Sequence, residues 1–243
     1  MNGATSQNGT TSQDRAPGQP SPADAAAVES LYPFLYAGET DVPAVLEQAR
    51  QSTVAKAHEI LELRRAVSER DGARLQSCAQ AAAARFAAGG RLLAFGNGGS
   101  ATDAQQIATL CLNPGGDARP LPAFGLASDT SVVTALCNDI GVDVVFARQI
   151  AAFGTKNDIA VGLSTSGNSD NLLRAFDEAS RRGMLTIGIA GYQGGKMAEL
   201  DSIDYLFVAP SASVHRIQEA QTTVYHALWE LTLAVLASGQ VAT

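Results

Sequence analysis

Two short runs of small and hydroxyl-bearing residues, about seventy positions apart, carry most of the chemistry in this chain: Gly96-Asn97-Gly98-Gly99-Ser100 and Ser164-Thr165-Ser166-Gly167-Asn168-Ser169. Each follows an apolar run and opens a helical one. Small residues at a strand-to-helix turn let backbone N–H groups and hydroxyls converge on an anion at the helix N-terminus. The chemistry to expect is the binding of a phosphorylated small molecule. A helix cap uses one hydroxyl, whereas the second run sets four (Ser164, Thr165, Ser166, Ser169) around one glycine, a dense neutral donor set suited to a monophosphate. The first run is less specific by itself, because glycine turns occur wherever backbone passes tightly. It is not followed by a clear ribose-binding acid about twenty residues on, as a dinucleotide site would be, so no nucleotide cofactor is expected.

The elements that must position these turns are legible in outline. The chain has 243 residues, 46% apolar and 17% charged, enough for one α/β domain with an appended segment. Short apolar runs at Leu92 to Phe95, Ala123 to Ala127, Ile159 to Leu163, Leu185 to Ala190 and Leu206 to Ala209 alternate with helical stretches. That alternation predicts parallel strands joined by crossover helices, with ligands beyond the strand C-termini. Residues 41 to 88 read as two long helices broken near Asp71-Gly72 and stopped by Gly89-Gly90, and Ser213 to about Ser238 as a closing helix capped by Ser211 or Ser213. Residues 1 to 25, rich in Gly, Ser, Thr, Gln and Pro, read as a disordered tail. The aromatic cluster Leu31 to Tyr36 is expected to pack on the domain or on a partner subunit.

Net charge of −7 removes any general attraction to nucleic acid or an anionic membrane, so a bound anion must be held by local geometry. The longest apolar stretches, such as Leu231 to Ala237, are too short to span a bilayer, and no signal-peptide layout is present. A cytoplasmic protein is expected. Cys78, Cys111 and Cys137 have neither disulfide-framework number nor zinc spacing and read as core or near-surface thiols.

The first run continues as Ala101-Thr102-Asp103-Ala104-Gln105, and with Ala127 to Thr130, Asn138-Asp139, Val145 to Gln149, Gly191 to Glu199 and Arg216-Ile217-Gln218-Glu219 it resembles the sugar isomerase (SIS) domain family. Within it the resemblance is to the phosphoheptose isomerases, which convert sedoheptulose 7-phosphate into glycero-manno-heptose 7-phosphate, and it covers roughly residues 40 to 237. It implies a three-layer, flavodoxin-like α/β sandwich with a five-stranded parallel sheet over residues 89 to 238, preceded by N-terminal helices within residues 26 to 88, and a homotetramer with sites between subunits. It assigns sugar-phosphate contacts to Asn97, Gly98 and Ser100 and to Ser164, Thr165, Ser166 and Ser169, and sugar-hydroxyl contacts to Asp129 and Thr130.

The resemblance also implies a divalent metal, typically zinc, held by a His and a Glu one turn apart after the first cradle and by a Gln and a His on the last helix. Here Gln218 and His226 are present, eight positions apart and within roughly 80° of each other on a helix. The other two positions hold Gln106 and Leu110, and Gln221 stands where a further His usually follows the Arg-Ile-Gln-Glu run. The family's Glu is the expected base and its last-helix His the acid. His226 remains the candidate acid, with Glu219 a second candidate that lies about 100° around the helix from Gln218. A core histidine beside Tyr225 and Trp229 is the plainer account of His226. For Asp103 that account is helix-dipole stabilisation. For His215 and His58 it is a surface position. Two readings therefore stand: an isomerase with a rearranged acid–base set, and a sugar-phosphate-sensing or protein-binding SIS module that has lost the chemistry.

Overall fold

The computed structural model describes residues 42–239. The expected tail and the aromatic cluster at Leu31 to Tyr36 lie outside the described residues. The chain divides into two compact units, Met1–Thr53 and Val54–Thr243. Of the first, residues 42–53 are described, as helix, and the packing and the site described below belong to the second.

Helix α1 runs unbroken over Val42–Ala87, through the Asp71-Gly72 pair where a break was expected. A glycine inside a helix costs about 1 kcal/mol relative to alanine. That cost is offset because a buried stripe, Val67, Asp71, Leu75, Cys78 and Ala82, continues across the glycine at spacings of three and four. Asp71 is held by Arg70, whose Nη2 also donates to the Val208 carbonyl at 2.5 Å, tying α1 to the edge of the sheet. Gly89, at φ +81°, then ends the helix as expected, with the Gly90 N–H donating to the Arg85 carbonyl at 2.9 Å.

The following elements alternate: β1 (Leu92–Gly96), α2 (Gly99–Leu112), β2 (Ala123–Gly125), α3 (Thr130–Asp139), a 3-10 turn (Val142–Val144), α4 (Val145–Phe153), β3 (Ile159–Ser164), α5 (Asp170–Arg181), β4 (Leu185–Gly191), a 3-10 turn (Gly195–Glu199), β5 (Tyr205–Ala209) and α6 (Val214–Ser238). All five strands are parallel, in the order β2-β1-β3-β4-β5, with Leu92 opposite both Ala123 and Ile159 and Ile159 opposite Leu185.

Strand alternation sorts the side chains into two cores. Leu92, Ala94, Ile159, Val161 and Leu163 pack with residues of α1, α2 and α6, while Leu93, Phe95 and Ala160 pack with residues of α4 and α5. The result is the expected three-layer sandwich. Phe95 and Phe176 meet at 5.2 Å, and Gly162 between them has no room for a Cβ against either ring. Burial of each such phenylalanine contributes about 2 to 3 kcal/mol. Ser213 is the residue preceding α6, as expected, although its hydroxyl makes no cap; its own N–H donates to Ser211 Oγ at 3.1 Å.

Candidate sugar-phosphate site

Strands β1 and β3 are sheet neighbours, and from them the chain departs in opposite directions across the sheet. Parallel sheets bind ligands at such a reversal, beyond the strand C-termini. Both glycine-serine turns fall there, one leading into α2 and the other into α5, so two helix N-termini converge on one place.

In the first turn Gly98 takes φ +55° and ψ −123°, which glycine adopts without steric cost, and Ser100 N–H closes the turn on the Asn97 carbonyl at 3.0 Å. Asn97, Gly98 and Gly99 are exposed and Ser100 is buried. A Cβ on Gly99 would collide with the Nε2 of Gln218, so the last helix lies directly against this turn.

The second turn is a knot of serines. Ser164 Oγ lies 3.1 Å from Ser169 Oγ and 3.5 Å from Ser166 Oγ, and accepts the Gly167 N–H at 3.1 Å, while Ser166 Oγ accepts the Asn168 N–H at 3.2 Å. Thr165 lies among them, half-buried. Behind it, the loop after β4 acts as a brace: Asn168 Oδ1 accepts the Lys196 N–H at 2.9 Å and the Met197 N–H donates to the Gly167 carbonyl at 3.0 Å. Gly167, at φ +68°, leaves no space for a side chain against the Gly194 carbonyl.

Asn97 and Asn171 join the two turns. Each amide donates to the other's oxygen, at 2.9 and 3.0 Å. Asn171 did not figure in the sequence reading. The available signal was a polar residue beside Leu172 on the buried face of α5, since a buried amide needs a partner.

The remaining candidates are distributed around this centre. Asp129 caps α3, its Oδ1 accepting the Ser131 and Val132 N–H groups at 3.0 and 3.1 Å, and Thr130 is the exposed first residue of that helix. Glu219 pairs with Arg216 at 2.5 Å. Gln221, fully buried, donates to the Ile189 carbonyl at 3.1 Å and so fastens α6 to β4. His226 is half-buried, stacked on Tyr225 with ring centroids 5.1 Å apart and edge-on to Trp229 at 6.4 Å. His215 and His58 are exposed. Asp103 receives a long hydrogen bond from the Tyr225 hydroxyl at 3.4 Å, and burial pushes its carboxyl above the usual aspartate range although that bond pulls the other way.

Zinc does not fit these residues. Leu110 packs on the core, the exposed Gln106 carries only an amide, and Gln218 with His226 leaves one imidazole and one amide oxygen. Structural and catalytic zinc sites use three or four ligands drawn from Cys, His and carboxylates. Among the described residues no three His, Cys, Asp or Glu side chains are grouped to hold a metal ion. No described helix is long and apolar enough to cross a membrane.

Comparison with known proteins agrees with this geometry. The SIS domain family matches residues 57–191. The chain is 43% identical over 176 residues to the phosphoheptose isomerase of Burkholderia pseudomallei strain 1710b, covering 72% of this chain and 88% of that protein. It is 45% identical over 144 residues to the phosphoheptose isomerase of Aquifex aeolicus, covering 59% and 74% respectively. The solved phosphoheptose isomerase of Neisseria gonorrhoeae is similar with a TM-score of 0.69 at 34% identity, over 77% of this chain and 100% of the other.

Proposed function

Since this chain belongs to the SIS domain family and, within it, to the phosphoheptose isomerases, we propose that it binds a sugar phosphate such as sedoheptulose 7-phosphate at the paired turns and interconverts its ketose and aldose forms. The observation that carries the reading is the mutual amide pair of Asn97 and Asn171, which ties the two turns together at the sheet's reversal point.

The chain's own residues divide the work. The hydroxyls of Ser164, Thr165, Ser166 and Ser169 and the N–H groups of Gly167 and Asn168 receive the phosphate, exchanging bonds they now make with one another for bonds to its oxygens. That exchange needs little rearrangement, which is what preorganisation means for a binding site. Asn97, Gly98 and Ser100 line the other wall, Gln218 closes it from α6, and Asp129 with Thr130 stands beyond the neighbouring strand β2 to meet sugar hydroxyls. His226 supplies an acid. Glu219, engaged with Arg216, supports α6 rather than the reaction. A cytoplasmic homotetramer with sites between subunits completes the proposal.

The test is incubation of the purified protein with sedoheptulose 7-phosphate, followed by proton NMR, alongside thermal melts with and without the sugar. Turnover above buffer with ligand-dependent stabilisation is expected. Stabilisation without turnover, across several phosphosugars at high protein concentration, would replace the isomerase by the sensing module for which Gln106 and Leu110 argue. The absence of both would remove the site itself.

A further inference from the structure

Helices α2 and α6 face each other along two stripes. On α2 the stripe runs through Gly99, Asp103, Gln106 and Leu110, and on α6 through Gln218, Thr222, Tyr225 and Trp229, each set falling within about 60° around its axis. The stripes meet at successive levels. At the top Gly99 abuts the Gln218 amide, one turn below Asp103 meets the Tyr225 hydroxyl, and at the bottom Leu110 and Trp229 pack on the shared core.

Side chains of a helix lean toward its N-terminus. Both helices begin at the ligand end of the sheet, so Asp103 leans toward the Gly98–Ser100 turn and Tyr225 leans the same way. Asp103 is thereby the carboxylate of α2 next to the first turn, where Leu110, two turns further down, offers only hydrocarbon.

We propose that Asp103, positioned by the Tyr225 hydroxyl, is the proton-transfer carboxylate of this site. The proposal rests on the isomerase reading. The Asp103 carboxylate takes a proton from C1 of the ketose phosphate, and the C–H electron pair forms the C1–C2 double bond. The carbonyl π pair moves onto the C2 oxygen, which takes a proton from His226 as the acid. The hydroxyl at C1 then returns a proton to His226 as its oxygen forms the new carbonyl, and the double-bond pair takes the proton back from Asp103 at C2. The product is the aldose, with Asp103 and His226 regenerated. Partial burial away from water suits a carboxylate to this task by making it a stronger base than an exposed one. Tyr225 is a positioning residue and touches no reacting atom.

The experiment compares wild type, Asp103→Asn, Asp103→Ala and Tyr225→Phe for kcat and KM, for exchange of the C1 hydrogens with deuterated solvent, and for thermal stabilisation by sedoheptulose 7-phosphate. Asp103→Asn is expected to lower kcat by about 100-fold or more, with KM and the ligand-induced stabilisation preserved. Asp103→Ala should recover turnover on addition of formate, a rescue that a structural role would not give. Tyr225→Phe should lower kcat by roughly 3- to 10-fold, as loss of a single orienting hydrogen bond does. It also serves as the deciding variant should both Asp103 variants fail to fold. Asp103→Asn retaining kcat within about threefold, or Tyr225→Phe leaving kcat unchanged, overturns the proposal. So does turnover that chelator abolishes and zinc restores. Wild-type protein that is stabilised by the sugar yet exchanges no hydrogen overturns both this proposal and isomerisation, and leaves binding intact. Wild-type protein showing neither effect overturns the site reading itself.

Discussion

Asn97 and Asn171 lie 74 positions apart in the chain and exchange both of their side-chain amide bonds, at 2.9 and 3.0 Å. Asn97 belongs to the turn after β1 and Asn171 to the first turn of α5, so the pair sets the spacing of the two phosphate turns. A reciprocal amide pair fixes orientation as well as distance, because each group acts as donor and acceptor toward the same partner.

Asn171→Ala removes both bonds and leaves Asn97, which is exposed, to water. The expected loss of stability is therefore modest, about 1 to 2 kcal/mol by urea denaturation. The larger effect falls on the ligand. Affinity for sedoheptulose 7-phosphate, measured by calorimetry, should weaken by about tenfold or more, equivalent to about 1.4 kcal/mol. Asn97→Ala in the Asn171→Ala background should add little to that loss, since one interaction is lost only once.

The two turns differ in how they would respond to a methyl group. At Gly167 the added Cβ meets the Gly194 carbonyl, which is backbone, and φ is +68°. Gly167→Ala should cost about 2 kcal/mol or more in stability and abolish the ligand-induced thermal shift. At Gly99 the added Cβ meets only the amide end of Gln218, which can swing aside. Gly99→Ala should therefore fold with a loss of about 1 kcal/mol or less and reduce sugar-phosphate affinity. Gln218→Ala introduced with it should return the stability without returning the affinity.

Below the sheet, at the N-terminal ends of β1 and β3, a buried carboxylate contributes to the acid sensitivity of the fold. Asp158 accepts the Arg91 N–H at 2.7 Å, the Arg91 guanidinium at 3.0 Å, and the Thr155 N–H and hydroxyl at 2.9 and 3.0 Å. Burial alone would push its carboxyl up, but the bonds from Arg91 and Thr155 outweigh it and hold the carboxyl below the usual aspartate value. A carboxyl lowered in the folded state contributes stability that is present above its unfolded pKa of about 3.9 and is lost as pH falls through the folded value. Asp158→Asn should thus flatten the decline in melting temperature below about pH 4. Asp158→Ala, which takes the acceptor from the Arg91 and Thr155 N–H groups while the Arg91 guanidinium keeps the Phe153 carbonyl, should cost about 1 to 3 kcal/mol at neutral pH.

Much of this arrangement was readable from residue types. Strands buried on both faces read as near-continuous apolar runs, which is why Ile159 to Leu163 and Leu185 to Ala190 stood out, and turns that admit no Cβ must be glycine. What escaped reading was pairing at a distance. Asn171 carries no local mark of its partner in β1's turn, and Asp103 looks like a simple helix-dipole residue until α6 brings the Tyr225 hydroxyl against it. The continuity of α1 through Asp71-Gly72 escaped for the same reason. Local propensity favours a break there, and only contacts with the sheet, including Arg70 on Val208, overrule it.

The α2 positions Gln106 and Leu110 decide how far the chain stands from a zinc site, and they can be changed. Gln106 is exposed, so Gln106→His should be neutral within about 0.5 kcal/mol. Leu110 is half-buried against the core, so Leu110→Glu exchanges apolar contact for a carboxylate that is only partly solvated, a loss of about 1 to 3 kcal/mol. The double substitution places His and Glu four positions apart on the face of α2 that meets Gln218 and the His226 side of α6. Zinc bound there would return stability in proportion to the logarithm of its concentration over Kd, about 2.7 kcal/mol at one hundred times Kd. The expected outcome is a double variant whose melting temperature is lower than wild type in chelator and rises with added zinc, while wild type responds to neither. A wild-type melt that shifts with zinc to the same extent would show that Gln218 and His226 find further ligands without α2. A double variant that ignores zinc would show that α2 and α6 stand too far apart at this level for one metal ion.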